Sequence, residues 1–234
     1  MSFRIGFDMD GVLADFSAAY YGIEDRLFGK TGHPAGAGDP EDQAGAAEAD
    51  AGAADERSAQ PDTPQELRRR RDAVWQTICN TADFWVSLEP TDPGAVRRLH
   101  ELTLRHRWHV FFITQRPATY GETVQRQTQR WLIAQGFDMP SVLVVPGSRG
   151  AAAAALSLDY LVDDSEKNCA DVKSASKARP ILIVDNSDTA TAASASRLGI
   201  ATATSIADAL DQLEAAATTA PSLLSRLANL AGLG

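Results

Sequence analysis

The chain has 234 residues, 31 acidic and 22 basic, for a formal net charge of −9. That length holds one sizeable α/β core plus an insertion, and the charge gives no global attraction for a nucleic-acid polymer or an anionic membrane. Its two cysteines, Cys79 and Cys169, stand in no metal or redox spacing, and no apolar run approaches the roughly 18 residues of a bilayer-spanning helix, so a cytoplasmic protein without a membrane anchor is expected.

The chain opens on a strand over 3–7, where Phe3, Ile5 and Phe7 alternate with Arg4 and Gly6. It runs out into Asp8-Met9-Asp10-Gly11, two carboxylates at i and i+2 followed by a glycine turn. In an extended chain such side chains share one side and stand roughly 6.5–7 Å apart. A phosphoryl group fits between them, one carboxylate attacking phosphorus and the other handling the proton of the leaving oxygen. Gly11 permits a sharp turn that brings amide N–H groups toward bound anionic oxygens.

The next buried-strand pattern begins only at residue 109, roughly a hundred residues on, far more than a crossover needs. Residues 35–62 are almost wholly Ala, Gly, Asp, Glu, Pro and Gln, and are expected to form a mobile acidic loop. Helical periodicity returns over 64–85, where the basic run Arg68 to Arg71 is expected on a solvated face.

Apolar runs suited to parallel strands follow at 109–113, 142–145, 160–162 and 181–184. Helices are expected at 93–105, with Pro93 in the first turn, at 121–135, around 151–157, at 188–198 and at 205–218. Alternation of this kind implies an α/β doubly wound, Rossmann-like parallel sheet of about five strands with a small helical insertion after strand one. Leucines at 223, 224, 227, 230 and 233 predict a C-terminal amphipathic helix within 216–234. The expected division is a core of 1–15 and 91–215, an insertion of 16–90 and this last helix.

Suggestive side chains fall where those strands end. Thr114 closes strand two and can donate to a phosphate oxygen, and Arg116 can equally reach phosphate or substrate through two N–H groups or form an exposed salt bridge. Arg149 follows strand three as a permanent cation. Asp163 and Asp164 close strand four, an acid pair suited to Mg²⁺, which takes few protein carboxylates and keeps several waters. A cation is needed, because a carboxylate within roughly 3 Å of a phosphate dianion meets about 11 kcal/mol of repulsion at an effective dielectric near 20. His33, His100, His106 and His109 lack the spacing of a zinc site, and Val184-Asp185-Asn186 reads as a loop start.

Phe7-Asp8-Met9-Asp10-Gly11-Val12-Leu13-Ala14-Asp15 resembles the first motif of the haloacid dehalogenase superfamily, and most of all that of the 5'(3')-deoxyribonucleotidases. Phe84-Trp85-Val86-Ser87-Leu88-Glu89-Pro90 and Pro93-Gly94-Ala95-Val96 are similar to a segment of the same family. The resemblance implies a cap in the insertion and Mg²⁺-dependent phosphomonoester hydrolysis through an aspartyl-phosphate on Asp8, with Asp10 as acid and then base. It implies metal ligation by Asp8, Asp164 and the Asp10 carbonyl with Asp163 orienting the set, Thr114 as second motif, and a third-motif cation, usually lysine. Here that cation is Arg149, with Lys167 as the substitute candidate.

The implied substrate is a nucleoside monophosphate, its base bordered by Phe84 or Trp85, although either ring could equally be core. The resemblance fails over 30–62 and at Thr114-Gln115-Arg116, where the nucleotidases carry another triplet. Two alternatives stay open on the sequence: a phosphatase of sugar phosphates or other small phosphoesters, and a non-catalytic binding protein on the same scaffold.

Overall fold

A computed structural model describes residues 2–29 and 63–219. The predicted acidic loop at 35–62 and the leucine-rich end from 220 onward lie outside the described residues, as does His33.

Six strands form one parallel sheet: β1 (Arg4–Asp8), β2 (His109–Thr114), β3 (Val142–Val144), β4 (Tyr160–Asp163), β5 (Arg179–Ile183) and β6 (Ala201–Ala203), in the order β3-β2-β1-β4-β5-β6. The sixth is a three-residue edge strand of alanine and threonine, too short and too weakly apolar for the pattern that marks the others. The order reverses between β1 and β4, and in such sheets ligands bind beyond the carboxyl ends of the strands at that reversal.

Strand alternation sorts the core into two layers. Phe7, Phe112, Val162 and Ile181 face one side, together with Leu99 and Leu102 of α3 (Ala95–His106), Trp131 and Leu132 of α4 (Val124–Ala134), and Leu210 and Leu213 of α8 (Ile206–Thr219). Ile113, Leu161 and Leu182 face the other, against α5 (Arg149–Ala155), α6 (Glu166–Ala175) and α7 (Thr189–Arg197). Helix α8 continues to Thr219, so the predicted break at 216 falls inside it.

The chain leaves the core beside Ala14 and returns beside Pro90, where a bridge pairs the two. The Asp15 N–H donates to the Glu89 carbonyl at 2.8 Å and the Thr91 N–H to the Leu13 carbonyl at 2.9 Å. Among the described residues, two helices stand on this neck. Helix α1 (Phe16–Phe28) is started by Asp15, whose carboxylate accepts the Ala18 N–H at 3.0 Å, and it buries Phe16, Tyr20 and Ile23. Helix α2 (Pro64–Asn80) begins with a reciprocal Thr63–Glu66 cap and Pro64 in its first turn. The two pack through Phe16, Tyr20 and Trp75, with ring centroids 5.5–6.1 Å apart. Arg68 and Arg69 are exposed, and the Arg70 guanidinium lies over Phe28.

Helix α2 stops five residues short of its predicted end. Asp83 takes a left-handed conformation, φ 52°, and Phe84–Val86 forms a single 3₁₀ turn. The cause is tertiary: Trp85 donates its backbone N–H to Gln127 Oε1 and its indole N–H to the Pro117 carbonyl, each at 3.0 Å, which draws the segment off the helix axis onto the core.

Helix α5 begins earlier than predicted, because Ser148 caps it by accepting the Ala151 N–H at 2.9 Å. It lies so close to α6 that a Cβ on Gly150 would stand 2.5 Å from the Asp171 carbonyl oxygen and 2.8 Å from Ala175 Cβ. Gly150→Ala is therefore expected to force the two helices apart and to destabilise the protein by about 1–3 kcal/mol. A thermal or urea melt checks this, and an unchanged midpoint would contradict the packing argument.

Candidate active site

Three strand ends and one helix start converge at the reversal point. Asp8 closes β1, Thr114 closes β2, Asp163 closes β4 and Arg149 opens α5; all four are buried. The parallel register sets Phe7 opposite Val162, so Asp8 and Asp163 follow each other at neighbouring strand ends. Asp8 accepts the Asp10 N–H on Oδ2 at 3.1 Å and a short bond from Arg149 Nη2 on Oδ1. Arg149 Nε also stands 3.5 Å from Asp163 Oδ2.

Each carboxylate is held differently. Asp163 accepts the Ser165 N–H at 3.0 Å and the Asn168 side-chain amide at 3.1 and 3.3 Å. Asp10, on the turn after β1, receives the Arg116 guanidinium in a two-pronged grip, Nε to Oδ2 at 2.8 Å and Nη2 to Oδ1 at 2.7 Å. Asp164 lies against the turn at Gly11. A Cβ on Gly11 would stand 1.7 Å from Asp164 Oδ2, and the residue has φ +72°, so both space and conformation require glycine there.

Several predicted residues take different places from those expected. The Gly11 N–H donates to the Ala14 carbonyl at 3.0 Å, so that amide is spent within the turn and not offered to an anion. Arg116, open on the sequence between phosphate or substrate and an exposed salt bridge, pairs with Asp10 in a largely buried bridge. Phe84 and Trp85, which the sequence leaves open between nucleobase and core, are 5% and 1% exposed and belong to the core, and Trp85 packs against Phe16, at 5.7 Å, and the Arg116 guanidinium, at 4.7 Å. Of the two candidate cations, Arg149 reaches Asp8, whereas Lys167 is exposed on α6.

Residues without a motif position support the set. Asp171 of α6 accepts the Gly150 N–H at 2.8 Å and the Ser148 hydroxyl at 2.7 Å on one oxygen, which seats the start of α5 and with it Arg149. These bonds hold the Asp171 carboxyl below its usual range, the Gly150 N–H contributing most. Thr128 of α4 accepts Arg116 Nη1 at 3.1 Å. The available signal was a polar residue on an otherwise apolar helix stripe, with Thr128 four residues after Val124 and three before Trp131.

Among the described residues no three His, Cys, Asp or Glu side chains form a ready-made ion cage. The site offers instead the Asp8 and Asp164 carboxylates and the backbone carbonyl of Asp10, hard oxygen donors of the kind Mg²⁺ takes while keeping waters. Gly11's lack of a side chain is what lets Asp164 approach the Asp10 turn. With Asp8, Asp10, Asp163 and Asp164 ionised against Arg116 and Arg149, two negative charges are in excess, which one divalent ion balances. The residues present therefore fit such an ion.

Without it, Asp8 resists ionisation. Burial raises its carboxyl well above the ordinary range, and Asp163, Asp164 and Asp10 add to the effect against the pull of Arg149. A carboxyl whose folded value lies above its unfolded one stabilises fully below the unfolded value, and that contribution is lost as pH rises through the folded value. In metal-free buffer the melting-temperature advantage of Asp8→Asn over the parent protein should therefore grow as pH rises from about 4 upward. A difference that stays constant with pH would contradict the assigned burial.

The model of the family described as 5' nucleotidase, deoxy (pyrimidine), cytosolic type C protein matches residues 2–197. No curated protein matches the chain significantly. Among solved structures, a Thermotoga maritima protein carrying a beta-phosphoglucomutase name superposes with a TM-score of 0.53 at 20% identity, covering 92% of this chain and 99% of that one. A haloacid dehalogenase-like hydrolase from Streptococcus pneumoniae gives 0.53 at 13% identity over 91% and 98%. A hydrolase from Pseudomonas syringae gives 0.51 at 14% identity over 92% and 98%. At such identities the structures speak for the fold alone, and the family match speaks for the kind of enzyme. With 196 of its 234 residues matched, the chain belongs to the cytosolic type C 5'-nucleotidase family, phosphatases of the haloacid dehalogenase fold.

Proposed function

We propose that the chain is a Mg²⁺-dependent phosphomonoesterase acting on nucleoside monophosphates through an aspartyl-phosphate on Asp8. The observation that carries the reading is the meeting of Asp8, Asp10, Thr114, Arg149 and Asp164 at the carboxyl ends of β1, β2 and β4. The family match supports the substrate class.

Asp8 attacks phosphorus and the bond to the leaving oxygen breaks, while Asp10, protonated before this step, delivers that proton to the leaving oxygen. Asp10 then takes a proton from water as the water attacks phosphorus, which releases inorganic phosphate and restores Asp8. The Thr114 hydroxyl accepts the Arg116 N–H at 3.2 Å and keeps its own proton for a phosphate oxygen. Arg149 Nη1 is buried without a hydrogen-bond partner among the described residues, a costly state for a guanidinium N–H and one that a phosphate oxygen would relieve. Asp8, Asp164 and the Asp10 carbonyl would hold the metal, whose charge offsets the repulsion between carboxylate and phosphate when bound.

Asp8→Asn is expected to lower turnover of any substrate by at least about 10³-fold while the circular dichroism spectrum stays native. Substantial hydrolysis by the folded variant would reject Asp8 as the nucleophile. Chelation should abolish activity and Mg²⁺ should restore it. A panel of deoxynucleoside monophosphates against sugar phosphates decides the substrate class, and preference for the sugars would overturn that part.

A further inference from the structure

We infer that Arg116 is a positioning residue that aims the Asp10 carboxylate for proton transfer. The inference rests on the reading of Asp10 as the group that protonates the leaving oxygen.

Asp10 sits on a turn, outside any strand or helix that would limit its rotamers, and its side chain is 16% exposed. Arg116 grips both of its oxygens, with Nε at 3.1 Å and Nη2 at 2.7 Å from Oδ1 and Nε at 2.8 Å from Oδ2. A planar fork on a planar carboxylate fixes orientation as well as distance.

The fork is itself immobilised. The Arg116 side chain is 1% exposed, its Nη1 donates to Thr128 Oγ1 at 3.1 Å, and its guanidinium lies over the Trp85 ring at 4.7 Å. The backbone N–H of Arg116 is tied to Thr114 Oγ1 at 3.2 Å. Three separate parts of the core, the end of β2, helix α4 and the 3₁₀ turn, thus converge on one guanidinium whose outward contact is Asp10. Each nitrogen of that guanidinium has a partner and the side chain is buried, which places it behind the acid.

Such an arrangement matters because proton transfer demands a heavy-atom approach of about 2.6–3.2 Å, and an error of about 1 Å in a reacting group costs on the order of 10²-fold in rate. The need for a well-aimed acid depends on the leaving group. An alkoxide leaves poorly without a proton, whereas p-nitrophenolate leaves readily without one. Loss of aim therefore has a signature that general loss of structure lacks.

The test measures kcat/KM, which reports the transfer to Asp8, for p-nitrophenyl phosphate, phenyl phosphate and a deoxynucleoside 5'-monophosphate with Mg²⁺. The proteins compared are the parent, Arg116→Gln, Arg116→Lys and Asp10→Asn, each checked for a native melting transition. Arg116→Gln is expected to lose on the order of 10²-fold with the nucleotide and less than about 3-fold with p-nitrophenyl phosphate. Arg116→Lys, which keeps the charge and loses the fork, should fall between Gln and the parent. An equal loss on all three substrates in either Arg116 variant overturns the inference, and if Arg116→Gln does not fold, Arg116→Lys alone decides. Asp10→Asn separates the two levels. If it leaves the leaving-group dependence unchanged, Asp10 is not the acid and both readings fall. If it steepens that dependence and the Arg116 variants do not, only the role of Arg116 falls.

Discussion

Like charge buried at the junction of β1 and β4 is the constraint from which the rest of the site follows. Adjacent strands lie about 4.8 Å apart, and two carboxylates at that spacing repel by about 3 kcal/mol at an effective dielectric near 20. Asp8 and Asp163 stand at such neighbouring strand ends, with Asp10 and Asp164 on the turns just beyond. Opposite charge must come close. Arg149 touches both Asp8 and Asp163, Arg116 takes Asp10, and burial, with the neighbouring carboxylates adding to it, still raises the proton affinity of Asp8 against the pull of Arg149. The proposed divalent ion and the proposed phosphate contact of Arg149 would thus answer one electrostatic problem.

Delivering Arg149 to that junction is a packing task. Its helix is seven residues long and mostly alanine, with little side chain to hold it by. Close approach replaces bulk: glycine at 150 and alanine at 175 let α5 settle onto α6, and Asp171 of α6 bonds the two polar groups at the start of α5. An arginine in place of the usual lysine suits this geometry, since a guanidinium can face Asp8 and Asp163 at once through different nitrogens, which a point charge on one nitrogen does less well.

Legibility in the sequence tracked how local each cause is. The strands that carry chemistry are short apolar runs ending in polar residues, and Asp8, Thr114 and Asp163 could be placed at their ends by inspection. Edge strand β6 and helix α6 offer no comparable contrast in their residues. Helix α1 carried a readable signal, Asp15 as cap followed by Phe16, Tyr20 and Ile23 on one face, within a stretch overshadowed by the motif before it. Beyond reach were pairings set by tertiary structure. That Arg116 turns to Asp10, that Asp171 seats α5, and that the Gly11 amide closes its own turn are contacts between residues whose separations carry no period. For Arg116 the sequence showed only a charged side chain two residues past a strand end, a position equally suited to substrate.

The aromatic pair at 84 and 85 illustrates how one segment joins cap to chemistry. Trp85 contributes two hydrogen bonds, a tilted ring contact with Phe16 at the start of α1 and contact with the guanidinium that holds Asp10. A ring committed to so many partners cannot swing out to meet a nucleobase without releasing Arg116. Its place is therefore in the core that supports Arg116. Phe16, which opens α1, packs on Trp85, and Trp85 in turn lies against the guanidinium that grips Asp10, so the start of the insertion and the turn after β1 are joined by a continuous run of buried contacts.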